Sequence, residues 1–227
     1  MNTPHRVALI AGSLKRERSS SAMLGEYLCE HLRANGMATE TFWLADVADG
    51  AARWDDCLRT VRRAHLVVLA FPVYADSLPA IVIEACERIA ADPDALERLA
   101  VVICAGNPEA RHCAIAEAQC HRFCEACGAS WCGALAMGEG DTIAGRPLGS
   151  LGWLQRRTRR ALRFAAVALA EGGKVPEHAR ALMATPVLPV RLYPWYAWIG
   201  QRRMAWRRGG LRDLHAQPLT DDGEPHA

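Results

Sequence analysis

Three short stretches concentrate the residues able to do chemistry. The first, "AGSLKRERSSS" (Ala11–Ser21), places Ser13, Ser19, Ser20 and Ser21 beside Lys15, Arg16 and Arg18, just ahead of a helical pattern. Hydroxyls, cations and the free N–H groups of a helix start suit an anion, and a phosphate monoester fits best. A solvated, serine-capped loop carries the same residues, and this is no Walker motif. The second stretch is "FPVYADSLP" (Phe71–Pro79), where two prolines stiffen a turn around Pro72, Val73, Tyr74 and Ser77. A flat apolar heterocycle can lie against such a surface, although a rigid turn alone would look alike. The third is Gly106-Asn107-Pro108-Glu109. There Asn107 has the chemistry of an N-cap and Pro108 that of a first helical residue, so the spacing predicts a helix over 108–127 whose amides face negative charge.

The elements that must position these loops follow from hydropathy. Arg6–Ala11, Thr39–Leu44, His65–Phe71, Leu99–Cys104 and Ala129–Met137 read as strands. Ser21–Ala34, Trp54–Arg63, Pro79–Ala91, Pro108–Cys127 and Leu151–Ala170 read as helices. Five strand–helix repeats imply a parallel sheet covered on both faces. The fold class is therefore α/β, a flavodoxin-like three-layer α/β/α sandwich with strand order 2-1-3-4-5. The three loops then share the carboxyl edge of strands 1, 3 and 4, where ligands sit in such sheets. Residues 1–175 form the expected binding domain, and 176–227 a basic, aromatic extension.

With the loops at one edge, "GSLKRERSSSAML", "FPVYADSLPA" and "GNPEA…FCEACGASWCGALAMGEG" together resemble the flavodoxin-like NAD(P)H-dependent oxidoreductases, relatives of the NADPH-dependent FMN reductases, over roughly residues 5–170. The resemblance implies FMN, with its phosphate on Ser13, Lys15, Ser19, Ser20 and Ser21. Its ring would lie on Pro72, Val73, Tyr74 and Ser77, and its pyrimidine end near Gly106, Asn107, Pro108 and Glu109. It also implies hydride transfer from NAD(P)H to flavin N5, electron delivery to a quinone, another flavin, an azo compound or a similar small-molecule electron acceptor, and a homodimer. Chemistry at flavin N5 requires no catalytic side chain, and none is assigned. Two other functions share the fold: a flavodoxin-type electron carrier without its own substrate, and a flavin-free interaction protein.

Other features are read more plainly. Nine cysteines in 227 residues, with no basic and apolar leader at the start, lead us to expect a cytoplasmic protein with reduced thiols. Cys113, Cys120, Cys124 and Cys127 share one helix face and read as core rather than cluster ligands. His112 and His121 suggest no metal site. Gly138-Glu139-Gly140 and Gly145 read as loop residues on the substrate side or as a flexible turn. Net charge is only +2, yet residues 146–212 hold 14 of the 27 basic residues and two acidic ones, Glu171 and Glu177. "YPWYAWIGQRRMAWRRGG" combines tryptophan with arginine, and the spacing predicts a short helix over 195–208. Packing on the body or across a dimer accounts for it. So does contact with a membrane surface or an acidic partner through residues 190–212. No nucleic-acid-binding module is recognisable.

Overall fold

A computed structural model describes residues 5–92, 95–189, 191 and 193–207. Five strands, β1 (Arg6–Ala11), β2 (Ala38–Trp43), β3 (Leu66–Pro72), β4 (Arg98–Cys104) and β5 (Ser130–Met137), form one sheet in the order β2-β1-β3-β4-β5, parallel throughout. The expected α/β/α sandwich is thus present. The central strands are continuous apolar runs because both of their faces are covered. Residues 7–11 of β1 and 66–71 of β3 are all buried.

Helices α1 (Ser20–Ala34), α2 (Leu44–Ala48), α3 (Trp54–Arg62), α4 (Ala80–Ala90), α5 (Ala114–Ala126), α6 (Arg156–Ala170) and α7 (Glu177–Ala184) complete the first of two compact units, Met1–Val187. On one face, Leu24, Leu28 and Leu32 of α1 pack with Leu162, Ala165 and Leu169 of α6, and α7 adds Ala179 and Met183. On the other, Val61 of α3, Val82 and Ile89 of α4 and Ala116, Cys120 and Cys124 of α5 cover the sheet. The cysteine stripe is core, as its spacing implied: Cys113, Cys120 and Cys124 are buried and Cys127 partly so.

Two helix starts differ from expectation. The helix expected from Pro108 begins at Ala114, after a 3-10 turn over Ala110–Cys113, and Asn107 caps nothing. Its carbonyl instead accepts the Glu139 amide at 2.8 Å, a long-range bond that ties this bend to the segment after β5. The helix expected from Leu151 begins at Arg156, because Gly152 takes φ +57°, ψ −141°, outside helical space.

The second unit is Leu188–Ala227, whose described part is dominated by α8 (Tyr193–Arg207). Arg208, expected within that helix, lies outside the described residues.

Candidate functional site

The carboxyl ends of β1, β3 and β4 bring the three loops to one edge, since β1 pairs with β3 and β3 with β4. The first loop leaves β1 with the Gly12 amide donating to Ala70 O of β3 at 2.8 Å. It then makes one 3-10 turn, Arg16–Arg18, before α1. Ser19 holds the N-cap position in extended backbone but makes no capping bond to the helix amides. Its hydroxyl pairs instead with that of Ser21, Oγ to Oγ 2.8 Å, and both residues are buried. Ser13 is buried too, and its Oγ accepts the Lys15 amide at 3.3 Å. The α1 start therefore presents amides and buried hydroxyls to an outside acceptor, the arrangement a phosphate requires.

Of the cations expected here, Lys15 and Arg18 are exposed. Arg16 is engaged elsewhere, its guanidinium held by Asp46 and Asp49 at 2.8 Å each. It reaches them from a left-handed backbone, φ 49°. Only the folded structure sets Asp46 and Asp49 opposite Arg16, so sequence spacing gave no sign of the pair.

The second loop is a tight hairpin. Tyr74 and Ser77 exchange both backbone hydrogen bonds at 3.1 Å, around Ala75 (φ 48°) and Asp76 (φ 61°). Two successive positive φ values are those of a type I′ turn, normally made with Asn or Gly. Two links to the rest of the fold hold this costly geometry. Asp76 Oδ1 lies 3.0 Å from His112 Nδ1, and Ser77 Oγ donates to Gln119 Oε1 at 3.0 Å. Val73 N donates to Cys104 O, tying the loop to β4. Pro72 and Val73 are half-buried, while Tyr74 is 55% exposed. The turn thus offers an aromatic ring at the edge. In the third loop, Gly106 and Asn107 are exposed and Pro108 is half-buried. Glu109 pairs with Arg111 at 2.5 Å and approaches His112 Nε2 at 3.8 Å.

A fourth segment, after β5, fastens the first and third loops together. The Gly140 amide donates to Ala105 O at 2.9 Å, and Gly140 O accepts the Ser20 hydroxyl at 2.7 Å. Glu139 is fully buried, with φ 57°, and one of its carboxylate oxygens accepts the Val187 amide at 2.5 Å. Behind it Thr142 donates to Glu139 O, Gln155 to Thr142 Oγ1 and Thr158 to Gln155 Oε1, each within 2.8 Å. Glycine is required at close approaches. A Cβ on Gly138 would lie 2.4 Å from Pro108 O, and one on Gly145 2.4 Å from Arg18 O. The segment is a packed brace, not the flexible turn its glycines allowed.

A groove of about 600 Å³ runs along α5, lined by Glu117, His121, Arg122, Glu125 and Trp131, but contains no residue of the three loops. Its lining contains no serine or threonine hydroxyl. Among the described residues no group of His, Cys, Asp and Glu is placed to hold a metal ion, and no helix is long and apolar enough to cross a membrane.

A doubly wound sheet with an uncapped, serine-lined helix start at its carboxyl edge defines a nucleotide- or flavin-binding class. The chain matches the NADPH-dependent FMN reductase family over residues 5–140, more than half its length, and belongs to that family. It is accordingly a flavin-dependent NAD(P)H oxidoreductase, with FMN as cofactor and NAD(P)H as co-substrate. Solved structures share the fold. An apo NADH:FMN oxidoreductase, EMOB, is 16% identical, with TM-score 0.60 over 78% of this chain and 94% of its own. An FMN-dependent NADH-azoreductase of Bacillus anthracis, in complex with FMN, is 12% identical, with TM-score 0.55 over 73% and 100%. RosB, with bound 8-demethyl-8-formylriboflavin-5'-phosphate, is 14% identical, with TM-score 0.57 over 98% and 99%. No curated protein matches the sequence.

Proposed function

We propose that the three loops are the FMN site and that the protein passes electrons from NAD(P)H to a quinone, a second flavin or a similar small acceptor. The observation that carries the reading is the α1 start, where buried Ser19 and Ser21 pair with each other and leave the helix amides uncapped. A dianionic phosphate there accepts from these amides and from the hydroxyls of Ser13, Ser19 and Ser21. Lys15 screens it from the solvent side. Ser20 is a brace, since its hydroxyl is spent on Gly140 O. Pro72, Val73 and Tyr74 offer the flat surface for the ring, and Ser77 holds their turn to α5. Gly106, Asn107, Pro108 and Glu109 border the pyrimidine end.

FMN, when bound, would supply the redox chemistry between NAD(P)H and the acceptor. The chain's part is to seat the ring, orient it by backbone groups and leave one face open beside exposed Tyr74. The flavin-binding domain is residues 1–175, with α7 packed on its core and the rest of 176–227 an extension, and the working assembly is a homodimer in the cytoplasm. Titration of the purified protein with FMN and with riboflavin, followed by NAD(P)H oxidation with quinone and flavin acceptors, tests the reading. Preference for FMN over riboflavin and turnover with an acceptor support it. Equal or absent binding of the two flavins overturns the phosphate assignment.

A further inference from the structure

Helix α8 carries an uncovered aromatic stripe. Trp195, Trp198, Ile199, Arg202 and Trp206 fall at i, i+3, i+4, i+7 and i+11, one face of a helix. That face is open: Trp195 is 69% exposed, Trp198 48%, Ile199 56% and Trp206 71%. Such a row of large apolar side chains exceeds the scattered exposure normal for a protein surface. The two rings at the start of the stripe meet edge to face, 6.3 Å apart, and Arg202 stacks on Trp198 at 4.8 Å. The charge around it has one sign. Between Glu177 and Asp213 there is no carboxylate side chain, while Arg191, Arg202, Arg203, Arg207, Arg208 and Arg212 all fall there.

We infer that α8 binds a lipid bilayer of anionic composition, lying in the headgroup layer with its tryptophan stripe toward the acyl chains. Three features select this occupant. Tryptophan prefers the water–hydrocarbon boundary, where its ring is buried and its N–H stays solvated. Arginine extends its charge to the headgroups while its stem covers apolar surface. A helix of 15 residues bearing Arg202 within its apolar stripe is too short and too polar to cross the bilayer, but suits lying along it. Stripe-to-stripe pairing of two copies would set Arg202 beside its equivalent with no acid on either helix to neutralise them. A lipid surface supplies the missing negative charge. The first unit carries a second patch of the same chemistry, Trp153 at 82% exposure with Arg156 and Arg157 exposed beside it.

The inference is independent of the flavin site. Its test is co-sedimentation of the full chain with vesicles of phosphatidylcholine alone and of phosphatidylcholine mixed with phosphatidylglycerol, read together with tryptophan emission. The expected result is partition at least about tenfold stronger onto the anionic vesicles, weakened by salt, with a blue-shifted emission. Trp195→Ala/Trp198→Ala/Trp206→Ala should lose that partition while keeping the FMN affinity of the parent. Arg202→Glu, which leaves the tryptophans in place, should weaken it severalfold. The inference is overturned if the parent chain partitions no better onto anionic than onto neutral vesicles. Undiminished binding of the triple variant also overturns it. So does a vesicle-indifferent parent whose oligomer is broken by the triple variant, because a second copy then covers the stripe.

Discussion

Asp76 and His112 face each other across two loops, with His112 Nδ1 3.0 Å from one carboxylate oxygen and 3.2 Å from the other. Asp76 follows Ala75 in a left-handed turn that alanine does not favour, and His112 belongs to the 3-10 turn ahead of α5. The pair holds the Tyr74–Ser77 hairpin in a shape the local sequence would not keep alone.

Breaking that pair should cost cofactor rather than fold. For His112→Ala we expect FMN affinity about tenfold weaker, the loss of one hydrogen bond of roughly 1.4 kcal/mol, with little change in thermal unfolding of the apo-protein. Asp76→Gly is the informative companion. It removes the same bond but relieves the positive φ, so its affinity should fall less. Fluorescence titration with FMN measures both, and unchanged affinity in His112→Ala would show the hairpin to be self-supporting.

The buried serine pair gives a prediction specific for phosphate. Ser19→Ala and Ser21→Ala should each weaken FMN binding by about tenfold, the scale of one charge-assisted hydrogen bond, and leave riboflavin binding within about twofold. Parallel titrations with the two flavins decide it. An equal loss for both would mean the hydroxyls only support the loop.

Gly138→Ala should be among the most damaging small changes in the first unit. The added methyl would meet Pro108 O at 2.4 Å and Asn107 O at 2.6 Å, both backbone atoms that cannot swing away. A cost of about 1–3 kcal/mol is expected from such overpacking, visible as a lower unfolding midpoint in urea with an unchanged slope.

The buried thiols set an alkaline limit. Burial pushes Cys29, Cys57, Cys86 and Cys113 from the ordinary 9.0 up to about 12, and Cys124 to about 11. The folded state therefore keeps protons that the unfolded chain releases above pH 9. Stability is at its full value below that pH and falls as pH rises toward 12, by about 1.4 kcal/mol per unit for each thiol. Urea unfolding from pH 8 to 11 should show the decline steepening past 9. At pH 8 a thiol reagent should reach Cys127, which is partly exposed, well before the buried eight.

Strands and their order were legible because buried parallel strands are unbroken apolar runs, and β3 (Leu66–Pro72) leaves little else to infer. The loops were legible as places but not as geometry. Ser19 reads as an N-cap in any sequence, yet its hydroxyl is turned to Ser21. Asn107-Pro108 has the composition of a helix start, and a bond from Glu139, 32 positions on, overrides it. Arg16 reads as a phosphate partner until the fold sets Asp46 and Asp49 within reach. Each departure comes from a partner distant in sequence, which local propensity does not register. The brace around Gly140 went unread for the same reason. Its glycines signal a turn, while the bonds that stiffen it come from Ser20, Ala105 and Asn107.

That brace makes one residue, with the peptide group on either side of it, an indicator of the whole site. Gly140 gives its proton to the chain beside the third loop and its oxygen to the hydroxyl at the start of α1. A pull at the third loop polarises the peptide that carries the Gly140 N–H, and a pull at the start of α1 polarises the next peptide, which joins the Gly140 carbonyl to the Asp141 amide. In a heteronuclear spectrum the Gly140 amide would then register the ring end of the proposed flavin site, and the Asp141 amide its phosphate end. A chain filled with riboflavin and one filled with FMN would be told apart by that adjacent pair of resonances, without turnover and without an acceptor.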